Sequence, residues 1–239
     1  MNYTLVEFDE ETKFVSSSVQ YVHSVIKNAL TERGIAIIGL SGGTSPKPIY
    51  AQLTTVPAAS EIDWKNVYFF CVDERYIEKT SADSLYHLVA NTIFNTEAMR
   101  ALIADHFICP DTSLPLDQCI KGYGQALQTI FARGSGHADL VTLGMGEDGH
   151  IASIFPTTDD QPAAPSDIVY HTTTTRFAVF DRITTNINNL KESSAKLFFM
   201  KGANKKVVWD EMIAAPENTR RWPAQAIVKS GNTFVYYQK

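Results

Sequence analysis

The sequence predicts a doubly wound α/β fold, in which one mainly parallel sheet carries helices on both faces in a three-layer α/β/α arrangement. Short apolar runs of strand length alternate with stretches of helical spacing along most of the 239 residues. Several of these runs stop at glycine-rich or charged segments, as expected at the carboxyl ends of buried parallel strands. The chain has no repeat, low-complexity tract or convincing linker, and we therefore expect a single domain over residues 1–239.

The first half of the chain is predicted to open with an edge strand over residues 4–8. Apolar residues from Val15 to Leu30 then recur at helical spacing until Gly34, which is typical of the position just after a helix. The elements that we predict next are a strand over 35–40, a short helix through Ile49 and Leu53, a strand over 67–72, a helix over 84–95, a short strand over 106–108, a loop over 110–115 and a helix over 117–133.

The second half is predicted to begin with a strand at Leu140. After Pro156 we expect a polar, proline-bearing loop to Asp167. The remaining predicted elements are strands over 168–175, 182–187 and 195–200, a helix over 204–214 and a last strand over 233–237.

Composition limits the possible partners. The formal net charge is -5, the pI is about 5.7 and basic residues form no run, so we expect no nucleic-acid partner. If the ligand is anionic, the basic side chains that bind it must be gathered at the binding site. No apolar stretch approaches the ~18 residues of a membrane helix. The polar start and the odd number of cysteines (Cys71, Cys109 and Cys119), without metal or redox spacing, favour core thiols in a cytoplasmic protein.

We expect the chemistry in the segment from Leu140 to Pro156, where an apolar run ends in three glycines, two acids and one histidine. Gly144, Gly146 and Gly149 would let the backbone turn sharply and approach a ligand, placing His150 at the sheet edge. The segment also satisfies the dinucleotide-binding fingerprint formally. That interpretation is disfavoured, because Pro156 leaves room for only a turn or two of helix and the acid at the expected offset lies in a loop.

The segment Ser41-Gly42-Gly43-Thr44-Ser45 follows a predicted strand and precedes a helix. The favoured interpretation is an anion nest at a helix N-terminus, formed by main-chain amides and hydroxyls and suited to a phosphate. A nucleophile elbow is the second interpretation, with Ser41 activated by His150 and oriented by an acid such as Asp73. It is disfavoured because we find only two strands before the elbow. A plain tight turn is the third.

Asp73-Glu74-Arg75 follows another predicted strand. We interpret it as two acids that hold Arg75 and accept from ligand hydroxyls, while the guanidinium binds an oxyanion; the alternative is a solvated loop. The other histidines have no paired spacing that would support zinc, and we interpret them as structural or surface residues: His23, His87, His106, His137 and His171.

Taken together, these motifs resemble the 6-phosphogluconolactonases, within the wider glucosamine-6-phosphate isomerase/6-phosphogluconolactonase family. The likeness spans about residues 35–210 and rests on residues 40–46, 72–75, Ser84 and 144–156, with weaker matches at 182–184 and 202–205. Aminosugar-phosphate isomerases of the family usually carry Phe-Asn-Glu-Pro after Asp-Gly-His, and Asp-Glu-Tyr at the earlier motif. Here Ser153-Ile154-Phe155-Pro156 lacks that glutamate and Arg75 replaces the tyrosine, which favours the lactonases. The sequence departs from the lactonase pattern at two places. Leu85 stands where lactonases commonly have asparagine, and the prolines ahead of Arg182 are missing.

The resemblance implies a Rossmann-like fold, no cofactor or metal, and hydrolysis of 6-phospho-D-glucono-1,5-lactone, a small phosphorylated sugar lactone. We expect neither a nucleic-acid nor a membrane partner, and a monomer or small homo-oligomer. The roles that we predict are general base for His150, its orientation by Asp148, and binding of the lactone oxygens by Arg75. Substrate and phosphate binding is predicted for Ser41, Gly42, Gly43, Thr44, Ser45 and Asp73, and, by resemblance, for Arg182 and Lys205. An aminosugar-phosphate isomerase and a non-catalytic sugar-phosphate-binding module are the alternative functions.

Overall fold

The computed structural model describes residues 2–158 and 166–239. The loop that we predicted between Pro156 and Asp167 therefore lies mostly outside the described residues. The strands are β1 (Thr4–Phe8), β2 (Ala36–Leu40), β3 (Val67–Cys71), β4 (Asp73–Arg75), β5 (Phe107–Ile108), β6 (Leu140–Leu143), β7 (Val169–Thr173), β8 (Asp181–Thr185), β9 (Ala195–Lys201) and β10 (Thr233–Gln238).

The α-helices are α1 (Glu11–Arg33), α2 (Lys47–Leu53), α3 (Leu85–Ala90), α4 (Glu97–Arg100), α5 (Ile103–His106), α6 (Leu116–Arg133), α7 (Ile187–Glu192), α8 (Ala203–Ala214) and α9 (Pro223–Lys229). Two 3₁₀ turns, Pro57–Glu61 and Trp64–Asn66, precede β3. The long predicted helices agree with α1, α6 and α8. The helix predicted over 84–95 ends at Ala90, and α9 was not predicted.

Seven strands form a parallel sheet in the order β1-β10-β9-β6-β2-β3-β5, with the helices packed around it. This confirms the predicted fold class and the edge position of β1. From β2 the chain builds outward through β3 and β5, then returns to β6 on the other side of β2 and builds outward again. The strand order therefore reverses between β2 and β6, the position where open α/β sheets bind ligands.

A second, three-stranded antiparallel sheet in the order β4-β8-β7 was not expected. We predicted that Asp73–Arg75 follows a strand and does not form one, and that the runs near 168–175 and 182–187 belong to the one main sheet. The link to the main sheet is direct, because Thr185 donates its N–H to the carbonyl oxygen of Val72, which follows β3. This small sheet stands beside the carboxyl ends of the parallel strands.

The core surrounds the central strands, whose residues in β2, β3 and β6 are all buried. Helix α1 ends as predicted at Gly34, where a φ of 72° lets the glycine N–H reach the Leu30 carbonyl at 2.9 Å. Cys71 and Cys119 are buried free thiols, as predicted, whereas Cys109 is half-buried. Within the described ranges, no helix is both long and apolar enough to cross a membrane.

Candidate active site

A cavity of about 730 Å³ opens where β2, β3 and β6 end. The chain leaves these strands into the three motifs singled out in the sequence, so all three motifs meet at one sheet edge. Of the eleven predicted site residues, nine line the cavity: Ser41, Gly42, Gly43, Asp73, Arg75, Asp148, His150, Arg182 and Lys205. Thr44 and Ser45 do not.

The segment after β6 forms a tight turn that brings His150 to the cavity wall. Gly146 donates its N–H to the His150 carbonyl at 2.9 Å, and Gly149, at a φ of 91°, donates to the Gly146 carbonyl at 3.0 Å. The imidazole packs directly over Gly146, because a Cβ there would lie 2.1 Å from His150 Nδ1. We expected the absence of a side chain at Gly146 to make room for a ligand. It makes room for the histidine ring instead. No helix begins in residues 144–158, which removes the dinucleotide-binding interpretation.

His150 and Asp148 form a hydrogen-bonded pair. His150 Nδ1 lies 2.5 Å from Asp148 Oδ1, and the same carboxylate oxygen accepts the His150 main-chain N–H at 3.1 Å. The two side chains are 19% and 10% exposed. Because the carboxylate engages Nδ1, the neutral ring is held in the tautomer that leaves the Nε2 lone pair available to accept a proton.

Asp148 is ionised at neutral pH. Its burial raises the pKa of the carboxyl group, but the hydrogen bonds and charge of His150 and the nearby Arg176 guanidinium outweigh burial and lower the pKa to about 2. The carboxylate therefore carries a full negative charge beside the imidazole.

Two arginines that the sequence analysis missed hold Asp148 from other parts of the chain. Arg176 Nη1 donates to Asp148 Oδ2 at 3.0 Å, and Arg221 Nη1 donates to the Asp148 carbonyl oxygen at 2.8 Å. Arg221 also stacks on Trp222, its guanidinium carbon 3.6 Å from the ring centroid. Each of the two arginines is followed by an aromatic residue, Phe177 or Trp222, and this was the one local signal in the sequence.

The small sheet places Arg75 beside Arg182. The two residues are register partners in β4 and β8, and both line the cavity. Arg182 is 7% exposed, and its Nε donates to the Val179 carbonyl at 3.1 Å. Burial, and then the charge of Arg75, lower the pKa of Arg182, while nearby carboxylates oppose them. Arg75 packs against the Gly42 backbone, since a Cβ on Gly42 would lie 3.4 Å from Nη1. The guanidinium groups of Arg75 and Arg182 thus lie on the same wall of the cavity.

The interpretation of Asp73-Glu74-Arg75 as two ligand-binding acids is wrong for Glu74, which is 2% exposed. Its carboxylate accepts the main-chain N–H groups of Arg75, Leu85 and Tyr86, each at 2.8 Å, and the Ser84 hydroxyl at 3.0 Å. Glu74 therefore anchors the start of α3 and does not hold the Arg75 guanidinium, whose Nη1 donates to the Asp83 carbonyl.

Asp73 does reach the cavity, where its Oδ2 accepts the Ser153 hydroxyl at 2.5 Å. Ser153 joins the wall from the turn that carries His150. Leu85, the departure from the lactonase pattern, is 1% exposed and lies in the core.

The segment after β2 contributes main chain to the wall. The Ser41 N–H donates to Tyr50 Oη and Thr142 Oγ1, both at 3.1 Å, whereas the N–H groups of Gly42 and Gly43 have no hydrogen-bond partner among residues 2–158 and 166–239. Gly43 has a φ of 105°. The chain then turns away, so Thr44 faces solvent and Ser45 is 4% exposed in the core. The predicted nest is therefore shorter at the cavity than expected.

Ser41 lacks the geometry of a serine nucleophile. Its Oγ is buried and makes no hydrogen bond within the described part of the chain, to His150 or to any other group. An activated serine requires a hydrogen bond to its base. The nucleophile-elbow interpretation therefore has no support from the geometry.

The cavity concentrates positive charge in an acidic protein. Five cationic side chains line it (Arg75, Arg176, Arg182, Lys205 and Arg221), against three carboxylates (Asp73, Glu147 and Asp148). Lys205, in the first turn of α8, is partly buried, which lowers its pKa, while the charge of Glu147 opposes that effect. Residues 2–158 and 166–239 contain no cluster of three or more histidine, cysteine or acidic side chains that could hold a metal ion.

The model of the family described as "Glucosamine-6-phosphate isomerases/6-phosphogluconolactonase" matches residues 9–236. The chain belongs to this family. The resemblance predicted from the motifs is thereby confirmed. A Dictyostelium discoideum family member named "Probable 6-phosphogluconolactonase" is 53% identical over 230 residues, which cover 96% of this chain and 95% of that protein. The 6-phosphogluconolactonase of Nostoc sp. is 28% identical over 234 residues, covering 97% and 93%.

Solved structures of the family have the same fold. The 6-phosphogluconolactonase from Plasmodium vivax superposes with a TM-score of 0.85 at 25% identity, over 98% of this chain and 90% of that one. A monomeric glucosamine-6-phosphate deaminase superposes with a TM-score of 0.78 at 18% identity, over 99% and 97%. That second likeness shows the fold alone, so the fold does not separate the two activities of the family.

Proposed function

We propose that this protein hydrolyses 6-phospho-D-glucono-1,5-lactone to 6-phospho-D-gluconate, the lactone-opening step of the oxidative pentose phosphate pathway. The observation that carries the proposal is the His150–Asp148 pair on the wall of a cavity lined by five cationic side chains. The relative that is 53% identical and named a probable 6-phosphogluconolactonase supports the choice of substrate.

In this proposal His150 is the general base. Its Nε2 accepts a proton from a water molecule while the water oxygen bonds to C1 of the lactone and the carbonyl electron pair moves to oxygen. On collapse, the C1–O bond to the ring oxygen breaks and the imidazolium returns the proton to that oxygen. The ionised Asp148 stabilises the imidazolium between the two steps. A lactone is an activated ester, so no covalent intermediate is required.

Arg75 and Arg182 have the charge and position to bind the oxyanion and the other substrate oxygens. They are paired across β4 and β8, and an anion between them would relieve the repulsion of two like charges. The N–H groups of Gly42 and Gly43, next to Arg75, have no partner among the described residues and offer further hydrogen-bond donors. Because these donors are neutral, substrate binding there removes no protein charge from water. Lys205 adds a cation from α8.

The alternative within the family is ring opening and deamination of an aminosugar phosphate. The observation against it is local: Phe155 stands directly before Pro156, where the isomerases usually have a glutamate, and its ring packs 5.1 Å from the imidazole of His150. An apolar ring cannot transfer a proton during ring opening. A sugar-phosphate-binding module without turnover is the second alternative.

The test measures lactone hydrolysis and aminosugar-phosphate deamination for wild type, His150→Ala and Ser41→Ala. We expect wild type to exceed the spontaneous hydrolysis rate and His150→Ala to lose on the order of 10²–10⁴-fold in kcat, whereas Ser41→Ala keeps measurable turnover. Full activity of His150→Ala contradicts the assignment of the base. Ammonia release from glucosamine 6-phosphate would indicate the isomerase, and binding of 6-phosphogluconate without catalysis would indicate the binding module.

A further inference from the structure

The connection between β7 and β8, residues 174–180, reaches the cavity although no motif marks it. Two of its residues, Arg176 and Phe177, lie on the cavity wall. Arg176 pairs with Asp148 Oδ2 at 3.0 Å and so ties this loop to the turn that carries His150. The loop therefore meets the general base from outside the segment to which the base belongs.

Phe177 contacts the groups on which the proposed reaction depends. Its ring centroid lies 5.3 Å from that of His150 at an interplanar angle of 70°, an edge-to-face arrangement, and 6.2 Å from that of Phe155. Phe155 in turn lies 5.1 Å from His150. The imidazole is thus one corner of a compact group of three rings. Phe177 also lies beneath the Arg182 guanidinium, whose carbon is 5.8 Å from the ring centroid.

These contacts restrain the tilt of the His150 ring, a motion that the hydrogen bond to Asp148 does not prevent. One hydrogen bond at Nδ1 fixes one atom of the imidazole, but the ring plane can still tilt about that bond and carry Nε2 away from the substrate. Edge-to-face packing on Phe177 limits the tilt of the imidazole. A cation–π contact with the same ring limits the movement of the Arg182 guanidinium.

We propose that Phe177 is a positioning residue, which holds the His150 imidazole and the Arg182 guanidinium in the relative arrangement that lactone hydrolysis needs. The proposal rests on the function proposed above. Phe177 supplies no proton and no charge, so its effect is expected in kcat, through the geometry of proton transfer, more than in substrate affinity.

The same loop provides a matched control. Phe180 is 55% exposed, against 39% for Phe177, and it contacts no other aromatic ring in the described residues. Both are phenylalanines in one short loop. An effect of general loop packing would appear for both residues, whereas a positioning effect is specific to Phe177.

The experiment compares Phe177→Ala, Phe177→Leu, Phe177→Tyr and Phe180→Ala with wild type in the lactone assay. We expect Phe177→Ala to lose about tenfold in kcat, with KM rising less than about threefold, because small misplacements of catalytic groups lower rates strongly. Leucine restores bulk without a ring and should recover part of the loss. Tyrosine should return kcat to within about twofold of wild type, and Phe180→Ala should also stay within about twofold.

A second measurement does not depend on turnover. The ¹⁵N resonances of the His150 imidazole should be narrow in wild type and in Phe177→Tyr, and should broaden in Phe177→Ala, because a ring that tilts about its Nδ1 hydrogen bond exchanges between environments. If wild type does not hydrolyse the lactone, the proposed function fails and these resonances still decide whether Phe177 positions the ring. Wild-type kcat together with unchanged ¹⁵N resonances in Phe177→Ala overturns the inference, as does an equal loss in the alanine and tyrosine variants.

Discussion

Asp148 shows how one residue can join three parts of the chain. Its Oδ1 meets His150, its Oδ2 meets Arg176 of the β7–β8 loop, and its carbonyl oxygen meets Arg221, just before α9. His150 and Arg176 keep the carboxylate ionised and fix its direction, while Arg221 holds the main chain of the same residue. The imidazole is consequently oriented by a carboxylate that is itself held in place, as the general-base role proposed for His150 requires.

The low pKa of Asp148 predicts a pH-dependent contribution to stability. Despite the opposing effect of burial, the pKa falls from its ordinary value of 3.8 to about 2 in the folded protein. As the pH decreases, the unfolded chain takes up the proton first. The stabilisation is therefore complete above about pH 4 and is lost between about pH 4 and pH 2, with a magnitude of about 2 kcal/mol.

Asp148→Asn removes this contribution. We expect wild type to exceed the variant by about 2 kcal/mol in unfolding free energy at pH 6, and the difference to shrink as the pH approaches 3. Urea denaturation at a series of pH values measures both. Asp105→Asn, a change at an exposed residue of α5, should stay within about 0.5 kcal/mol of wild type throughout. A difference that grows towards low pH would contradict the expected sign.

At the level of elements, the start of α3 depends on a carboxylate from β4. Glu74 accepts three main-chain N–H groups and the hydroxyl of Ser84, the residue that caps α3. Burial raises the pKa of Glu74, while these hydrogen bonds oppose that effect. The same short strand carries Asp73 and Arg75 into the cavity. Structural and functional residues thus alternate along β4, as successive side chains of a strand point to opposite faces.

Glu74→Gln should separate these two roles. An amide keeps the shape but presents an NH₂ group to donors that need an acceptor, so we expect a loss of about 2–4 kcal/mol in unfolding free energy and faster hydrogen exchange at the Leu85 and Tyr86 amides. Glu97→Gln is the matched control, since Glu97 is an exposed acid in the first turn of α4. Equal stability of the two variants would show that Glu74 does not anchor α3.

Over the whole molecule, charge is distributed unevenly. The chain has a formal net charge of -5, yet the cavity gathers five cationic side chains against three acids. If the substrate carries a phosphate, as proposed, the local excess of positive charge attracts it to the cavity. The cations meet because the carboxyl edge of the parallel sheet adjoins the small sheet, which with the β7–β8 loop supplies Arg75, Arg176 and Arg182.

This distribution predicts a salt-dependent KM. The Debye length falls from about 30 Å at 0.01 M ionic strength to about 8 Å at 0.15 M, so we expect KM for the lactone to rise several-fold over this range while kcat changes little. Lys205→Gln should flatten the dependence. Lys13→Gln, a change at an exposed residue of α1, should leave it unaltered. A KM that does not respond to ionic strength would argue against electrostatic attraction of the substrate to the cavity.

Local patterns were sufficient to predict the strands of the main sheet. Buried strands such as β2 and β3 are continuous apolar runs ended by glycine or charge, and α1 ends at a glycine that only local backbone geometry requires. The small sheet was missed because β4 has three residues and pairs with β8, more than a hundred positions later. Such pairing leaves no periodicity in the sequence.

By itself, the sequence determined the fold class, the family and nine residues that line the cavity. Seven of the nine belong to local motifs predicted to follow a strand, whereas Arg182 and Lys205 came from the resemblance to the family. Only the tertiary structure decided that Glu74 is an internal anchor, that Arg75 stands beside Arg182, and that Arg176, Phe177 and Arg221 join the site. The physical reason is that hydrogen bonds, ion pairs and ring contacts depend on distances in space. Residues far apart in the chain acquire those distances only when the sheets, helices and loops have packed together.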